Sequence, residues 1–346
     1  MSADFPKLLS DFIDRRPLSP AAARSAFDAI LAGEWTSVQV AGFAVALRMG
    51  DANADALVAA AESMRAAMTV VSHEYPLVVD TCGTGGDGLH TLNLSSAAAV
   101  VVASCGLPVA KHGNRSFSSR CGSADVFEAL GIPIDLPPER QGDVFREVGI
   151  AFLLAPAHHP ALKHAGQARR ELGIRTIFNA IGPLANPACA THQVVGVYDD
   201  TLRSVAARAL GRLGSRRAWI VRSEDGLDEV SPCAPTKVSE LTADGSVREF
   251  VVTPEDFGVP RATLSDLAGG DAATNAQAIT TILAGGPHPA SEAVVLNAAA
   301  AVAVATGDDL RTSARRARRA IEEKVALATL DRWRQVAKRA RGGPAT

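Results

Sequence analysis

The sequence is poor in aromatic residues, which make up 5% of its 346 positions. A protein that reads single strands by stacking bases on rings would have little to work with here. No one sign of charge dominates: 35 Lys and Arg face 37 Asp and Glu, a formal net of -2. No overall field draws the chain toward nucleic acid or a membrane, so an anionic ligand must be met by a local site. Cysteine is scarce and odd in number, and Cys82, Cys105, Cys121, Cys189 and Cys233 form no CxxC pair. That argues against a disulfide frame or a structural zinc and for a reduced, cytoplasmic protein. Long hydrophobic runs are missing too. The most apolar stretch, Ala97 to Ala103, falls well below the ~20 residues of a membrane span. Asp4, Lys7, Asp11 and Asp14 punctuate the first apolar positions, as in an amphipathic helix and not a signal peptide. Long linkers and internal repeats are also lacking, so two domains would share a cleft and not hang on a tether.

What is present is length, alanine and a change of pattern. A chain of 346 residues suits one large domain and a smaller one. Residues 1 to about 70 read as four short helices, with Ser19-Pro20 as a cap and first-turn proline, stops at Gly33 and Gly50, and Asn53 as a further cap. Strands are then expected at Tyr75-Asp80, Leu107-Ala110, Ile150-Leu154, Val194-Tyr198 and Ala218-Val221, separated by helices such as Ser95-Cys105. Helical pattern returns at Asn275-Leu283, Glu292-Ala305 and Thr312-Val325. The expected fold is α/β: a small all-helical domain, residues 1–72 joined by part of 160–190, and a large domain, 73–346, on a mostly parallel sheet.

Two loops carry the chemistry. Residues 83 to 88 read Gly-Thr-Gly-Gly-Asp-Gly, a literal match to the dinucleotide fingerprint. The helix starts too late for that motif, near Ser95, and Lys111 stands where an acid should hold a ribose. A phosphate cradle is the better reading. Gly83, Gly85 and Gly86 let backbone N–H groups approach an anion, and Asn93, Ser95 and Ser96 add donors at the next helix start. After the second strand, Lys111-His112-Gly113-Asn114-Arg115-Ser116-Phe117-Ser118-Ser119 puts two cations beside a glycine, an amide and three serines. That composition suits phosphate and sugar.

In chain order, DTCGTGGDG, TLNLSS, KHGNRSFSS, CGSADVFEALG, HHPALKHAGQARRELGIRTIFNAIGPLANP and GLDEVSP resemble the anthranilate phosphoribosyltransferases over nearly the whole chain. The resemblance implies a homodimer of the class II nucleoside-phosphorylase-like fold with its active site in the hinge cleft. It implies transfer of phosphoribosyl from phosphoribosyl pyrophosphate to the anthranilate amine, a step of tryptophan biosynthesis, with two Mg²⁺ ions per subunit. Carried over by residue, Gly83, Gly86 and Asp87 match the pyrophosphate loop, and Thr91, Asn93, Leu94, Ser95 and Ser96 match the positions that follow it. Lys111, His112, Gly113, Asn114, Arg115, Ser116, Phe117, Ser118 and Ser119, with Ser123, match the segment around the phosphoribosyl group. Gly83, Asn114 and Arg169 match anthranilate contacts, and Ser95, Asp228 and Glu229 match metal ligands. Ser96 stands where Thr is common, Phe117 where the family has a small aliphatic residue, Cys121 where Ser is frequent, and Arg222-Ser223-Glu224 lacks the usual His-Gly.

The residue types suit this reaction. Pyrophosphate leaves with several negative charges, which a metal pair can neutralise. Asp228 and Glu229 are adjacent and would face opposite sides of a strand, so a turn after Gly226 is needed for both to reach a metal. Without the GLDE context the doublet would read as a solvated surface pair. Anthranilate's neutral amine needs placement more than a base, and its carboxylate needs a cation. Arg169 offers a two-pronged donor, although sequence alone does not separate it from Arg170. His112 is a weak candidate for taking the amine proton. His158, His159 and His164 fit no metal spacing and read as packing residues, and the Arg315 to Arg319 run, followed by Glu322 and Glu323, reads as a salt-bridged face. Two rivals share the fold: an inactive nucleic-acid-binding relative and a pyrimidine nucleoside phosphorylase. The first should be basic with an eroded site, and the second should lack the Asn114 and Arg169 pair.

Overall fold

The structure is a computed structural model that describes residues 4–50, 54–85, 88–116 and 120–342. Helices α1 (Phe5–Ile13), α2 (Pro20–Leu31), α3 (Ser37–Met49) and α4 (Ala54–Ala66) open the chain. Asp4, Ser19 and Thr36 cap the first three, each accepting from the backbone N–H three residues on. Gly33 follows the end of α2 with φ 76, and Gly50 caps α3. The expected cap at Asn53 lies outside the described residues. Phe27, Trp35 and Phe43 are buried among these helices, with Trp35 and Phe27 each edge-on to Phe43.

The rest of the chain winds around one seven-stranded sheet in the order β3-β2-β1-β4-β5-β6-β7. Its strands are β1 (Val79–Gly83), β2 (Val109–Gly113), β3 (Ile150–Leu154), β4 (His192–Gly196), β5 (Arg217–Ser223), β6 (Thr236–Leu241) and β7 (Val247–Val252). The first five pair in parallel, and β6 and β7 add antiparallel at one edge. The strand at Ile150–Leu154 lies where the pattern put it. The first starts four residues later than expected, at Val79, and ends three later, at Gly83; the second starts two later, at Val109, and ends three later, at Gly113. The reason is that backbone pairing continues into the glycine-bearing ends, where no side-chain pattern marks it. The fourth stops at Gly196, two residues before the expected end. The β6–β7 hairpin was not expected. Its outer strand alternates little, with Val251 half exposed, so it carries weak periodicity.

Between the strands run α5 (Leu94–Ser104), α6 (Ser123–Ala129), α7 (Pro138–Val148), α8 (Ala155–His158), α9 (Lys163–Leu172), α10 (Ile177–Ala180) and α11 (Leu202–Arg212). After them come α12 (Ala272–Leu283), α13 (Ser291–Thr306), α14 (Leu310–Glu322) and α15 (Val325–Gly342). The expected last helix, Thr312-Val325, is α14, which ends at Glu322 before a break at Lys324, whose φ is 59; α15 was not expected. Helix α13 is buried on every side from Ala293 to Ala305, as an all-round apolar helix inside a large domain should be. Its alanines and those of α5 share one core with Trp333 and Phe127. A second core joins the N-terminal helices to Ala165 and Ala168 of α9, Phe178 of α10 and the apolar face of α11. Among the described residues no helix is long and apolar enough to cross a membrane. The basic run of α14 pairs Arg318 with Glu292 and Arg319 with Glu323, and Arg316 donates to the Cys105 carbonyl.

Candidate active site

Strand β1 has β2 on one side and β4 on the other. The chain leaves it first toward β2 and later returns to β4, so the order reverses here. In open α/β sheets the crevice beyond the carboxyl ends of such strands is the usual ligand site. Both sequence-marked loops start at this edge: β1 ends at Gly83 and β2 at Gly113. The acidic pair lies in the turn between β5 and β6, at the same end of the sheet.

Contacts tie these pieces together over long sequence separations. The Ser95 N–H, in the first turn of α5, donates to Glu229 Oε1 at 3.2 Å. Lys111 is buried. Its ammonium donates to the Thr81 carbonyl and to Ser95 Oγ, the latter at 3.3 Å. The Asp228 carboxylate lies over the α-carbon of Gly83, since a Cβ added there would stand 3.1 Å from Oδ2. Gly226 has φ 98, which turns the chain after β5 so that adjacent acids need not point oppositely. Burial, and then the Asp228 charge beside it, push Glu229 up to about 8, against the opposing pull of Lys111. Two like charges held this close favour a cation between or beside them.

The remaining expected residues fall into three groups. Gly86, Asp87, Phe117, Ser118 and Ser119 lie outside the described residues. Gly83, Lys111, Gly113, Ser95, Asp228 and Glu229 border the strand ends. The others serve the loops around them. Thr91 bridges to Ala268, and Asn93 donates to the Cys121 carbonyl at 3.1 Å and accepts from Asn275 at 2.9 Å. Asn93 therefore stands at the start of α5 without capping it through its side chain. Leu94 is fully buried, and Ser96 Oγ is buried with no hydrogen-bond partner among the described residues. Exposed Asn114 accepts from the Arg115 N–H through Oδ1, while its carbonyl takes the Ala124 N–H and the Ser123 hydroxyl. Arg115 forms ion pairs with Asp125 and Glu128 at 3.0 and 2.9 Å.

Arg169 sits in the last turn of α9, half-buried, while Arg170 beside it is exposed. Among the described residues the Arg169 guanidinium has neither a carboxylate nor a hydrogen-bond acceptor, and burial alone lowers its pKa. A desolvated cation without a counter-charge awaits an anion. His112 is buried with Nδ1 3.0 Å from the Gly182 carbonyl and Nε2 without a partner among the described residues. That contact requires the proton on Nδ1, which leaves Nε2 as an acceptor. Burial, followed by the neighbouring His159, lowers His112 to about 3. His159 packs edge-on against it at 5.0 Å. His158 meets the Thr69 carbonyl at 2.8 Å, and the His164 ring lies under Gly33.

Three residues with a part in this geometry were not singled out from sequence. Asp80 is fully buried under both loops, accepting from the His112 N–H at 3.1 Å and from Asn186 at 2.8 Å. Asp125 holds the second loop by accepting from the Ser116 and Gly122 N–H groups. An acid three residues after Gly122 is a helix-start signal that could have found it. Gly196 pairs with Gly83 in the β1–β4 register, and a glycine inside a strand signals close backbone approach.

Comparisons with known proteins give the chain's family and fold. Residues 75–327 match the glycosyl transferase family, a/b domain, and residues 6–68 its helical bundle domain. The chain is 49% identical to the anthranilate phosphoribosyltransferase of Moorella thermoacetica over 93% of its length and 95% of that protein. The crystal structure of the Thermus thermophilus anthranilate phosphoribosyltransferase superposes with a TM-score of 0.89 at 38% identity, covering 95% of this chain and 99% of that one. The Saccharomyces cerevisiae enzyme, in complex with PRPP and Mg, gives a TM-score of 0.89 at 26% identity, over 98% and 99% of the two chains.

Proposed function

The chain belongs to the anthranilate phosphoribosyltransferases, and from that premise we infer that it joins anthranilate to phosphoribosyl pyrophosphate, releasing pyrophosphate, in tryptophan biosynthesis. The observation that carries the reading is the acidic pair seated against the glycine loop at the end of the sheet, in a chain whose α9 also carries a desolvated arginine. Asp228 and Glu229 stand together beside the glycine loop, where burial and then the Asp228 charge oppose ionisation of Glu229, while among the described residues the desolvated Arg169 guanidinium has no counter-charge. A polyanion bound through a cation, together with an aromatic carboxylate, satisfies both.

The acidic pair fits magnesium. Among the described residues no group of three or more His, Cys, Asp or Glu forms a cage. Mg²⁺ typically takes one or two carboxylates and completes its shell with water and substrate phosphates. Asp228, Glu229 and the Ser95 hydroxyl would hold it, one or two ions per subunit. Bound there, it supplies charge neutralisation to the departing diphosphate. The protein does the rest. Gly83, Gly86 and Asp87 take the pyrophosphate side, and Thr91, Asn93, Leu94, Ser95 and Ser96 follow it. The loop from Lys111 through Ser119, with Ser123, encloses the phosphoribosyl group. Arg169 and Asn114 orient anthranilate so that its amine faces the anomeric carbon, and Gly83 borders both substrates.

As the C–O bond to pyrophosphate breaks and the C–N bond forms, the amine becomes acidic. In this reading His112 Nε2, unpartnered among the described residues, accepts its N–H, and the proton leaves with the pyrophosphate. A histidine held near 3 is a weak base, so it serves by hydrogen bonding more than by proton abstraction.

The homodimer and the cytoplasmic setting belong to the same reading. Ile13 and Val38 stand 74% and 78% exposed on α1 and α3, apolar surface that a second copy would cover. No disulfide joins any of the five cysteines, which suits a reducing compartment.

The test is loss of anthranilate fluorescence on mixing with phosphoribosyl pyrophosphate and Mg²⁺. No turnover in that assay, together with phosphorolysis of a pyrimidine nucleoside, would replace this reading with the phosphorylase.

A further inference from the structure

Tyr198 lies two residues past β4, buried to 7% exposure, where three parts of the chain converge. Its backbone N–H donates to Thr84 Oγ1 at 3.0 Å, and the Thr84 N–H returns to the Gly196 carbonyl at 2.8 Å. Thr84 is the second residue of the glycine loop, so this bracket extends the β1–β4 pairing into that loop. The ring is covered by two guanidinium groups from elsewhere in the chain. Arg175 lies 4.6 Å from its centroid and Arg48 5.8 Å. Arg48, in the last turn of α3, also pairs with Asp199 at 3.3 Å. Arg175 stands two residues beyond Gly173, the left-handed cap whose N–H closes on the Arg169 carbonyl. One side chain thus touches the helical bundle, the end of the helix bearing Arg169, and, through its backbone, the glycine loop.

The ring suits this task better than an aliphatic residue would. A guanidinium over an aromatic face is held by the ring's quadrupole and keeps its other donors in water. Such a contact fixes the exposed end of α9 without burying a charge. Burial raises the Tyr198 phenol while both arginines oppose the shift, so the ring and the two cations sense one another.

We propose that Tyr198 is a positioning residue: its ring, gripped by Arg175, fixes the segment that carries Arg169, and its backbone fixes Thr84 in the glycine loop. It touches neither substrate, and the proposal rests on the assignment of Arg169 to anthranilate and of the glycine loop to the diphosphate.

The two attachments are separable, which makes the proposal testable. Tyr198→Leu removes the ring and keeps the N–H. It should raise the KM for anthranilate by about two- to fivefold, the range of a partly exposed cation–π contact, and leave that for phosphoribosyl pyrophosphate unchanged. Tyr198→Phe keeps the ring and should restore wild-type values. Arg175→Ala, at an exposed position that does not threaten folding, should match Tyr198→Leu, and the double variant should be no worse than either single one. Thr84→Val should show the opposite split, raising the KM for phosphoribosyl pyrophosphate alone. Arg169→Ala is run in the same series. If it raises the anthranilate KM while Arg175→Ala and Tyr198→Leu do not, the positioning role is overturned and the site reading survives. If Arg169→Ala itself leaves that KM unchanged, the site reading falls and this proposal with it. Equal losses in Tyr198→Phe and Tyr198→Leu, or additive losses in the double variant, overturn the ring's role.

Discussion

Gly196 lies directly under the backbone of Asp228, so closely that a Cβ added to the glycine would overlap the Asp228 carbonyl oxygen and stand 3.2 Å from its α-carbon. The obstacle is backbone, so it cannot swing aside as a side-chain tip would. The acidic turn is therefore seated on the end of β4, and its height above the sheet is set by the absence of a side chain at one position.

Gly196→Ala should lift Asp228 and Glu229 away from Ser95 and Gly83. The expected result is a loss of kcat/KM of at least about a hundredfold, the scale of a small displacement at a reacting centre, with a raised Mg²⁺ requirement. Thermal unfolding should also shift down, since overpacking a tight site costs about 1–3 kcal/mol. Wild-type Mg²⁺ dependence in this variant would show that the contact does not position the pair.

Metal dependence follows from the same pair. Excess EDTA should abolish turnover and added Mg²⁺ should restore it. Mg²⁺ should also raise the melting temperature of the substrate-free protein, because a cation offsets the burial and then the Asp228 repulsion that push Glu229 upward, and anything binding the native state stabilises it. Glu229→Gln should cut that thermal gain. Undiminished activity in EDTA would sink the magnesium assignment.

Much of this site was legible because its parts are local runs. The glycine loop and the Lys111 loop each start within a few residues of an apolar strand, so composition and position mark them together. The acidic doublet was legible only through the GLDE resemblance, since Asp228 and Glu229 alone look like a surface pair. What stayed hidden depends on tertiary proximity. Asp80 reads as a strand-ending acid, and only the fold brings it under the His112 N–H, 32 residues away. Arg175 over Tyr198 has no sequence signal, because neither residue's pattern names the other. The β6–β7 hairpin was missed for a different reason: its outer strand is largely solvent-facing, and burial is what writes alternation into a sequence.

The buried histidines set a pH dependence of stability. Burial lowers His112 to about 3 and His159 and His192 to about 4, whereas in the unfolded chain each titrates near 6.5. Above that value neither state holds the extra protons and this stability is fully present. As pH falls below it, the unfolded chain takes up protons that the folded one refuses, so stability is lost until the folded values are reached. Each histidine contributes a slope of about 1.4 kcal/mol per pH unit within that window. Urea unfolding at pH 7.5 and pH 5 should show the drop, and His192→Asn, far from the cleft loops, should make it shallower. A free energy of unfolding that is flat across this interval would contradict the buried neutral state.

Arg169 and Arg170 give the sharpest division between function and stability. Arg169 is half-buried and has no partner among the described residues, and Arg170 is exposed. Arg169→Ala should raise the anthranilate KM and reduce kcat/KM by about 2–4 kcal/mol of transition-state stabilisation, the loss expected for one member of a desolvated charge pair. Binding of Mg²⁺ and phosphoribosyl pyrophosphate should be nearly intact. Arg169→Lys should recover only part, since an ammonium cannot reproduce the planar fork. The ligand-free protein should tell a different story. Its guanidinium is desolvated with no counter-charge among the described residues, so Arg169→Ala should melt no lower than the wild type, and the substrate should stabilise the wild type more than the variant. Arg170→Ala is the control and should be silent in every measurement. Steady-state kinetics with each substrate varied in turn, alongside thermal melts with and without anthranilate, decide the matter. A crippled Arg170→Ala reverses the assignment of the pair. A large loss of thermal stability in Arg169→Ala would mean that the guanidinium already has a structural partner, and the carboxylate role would fall.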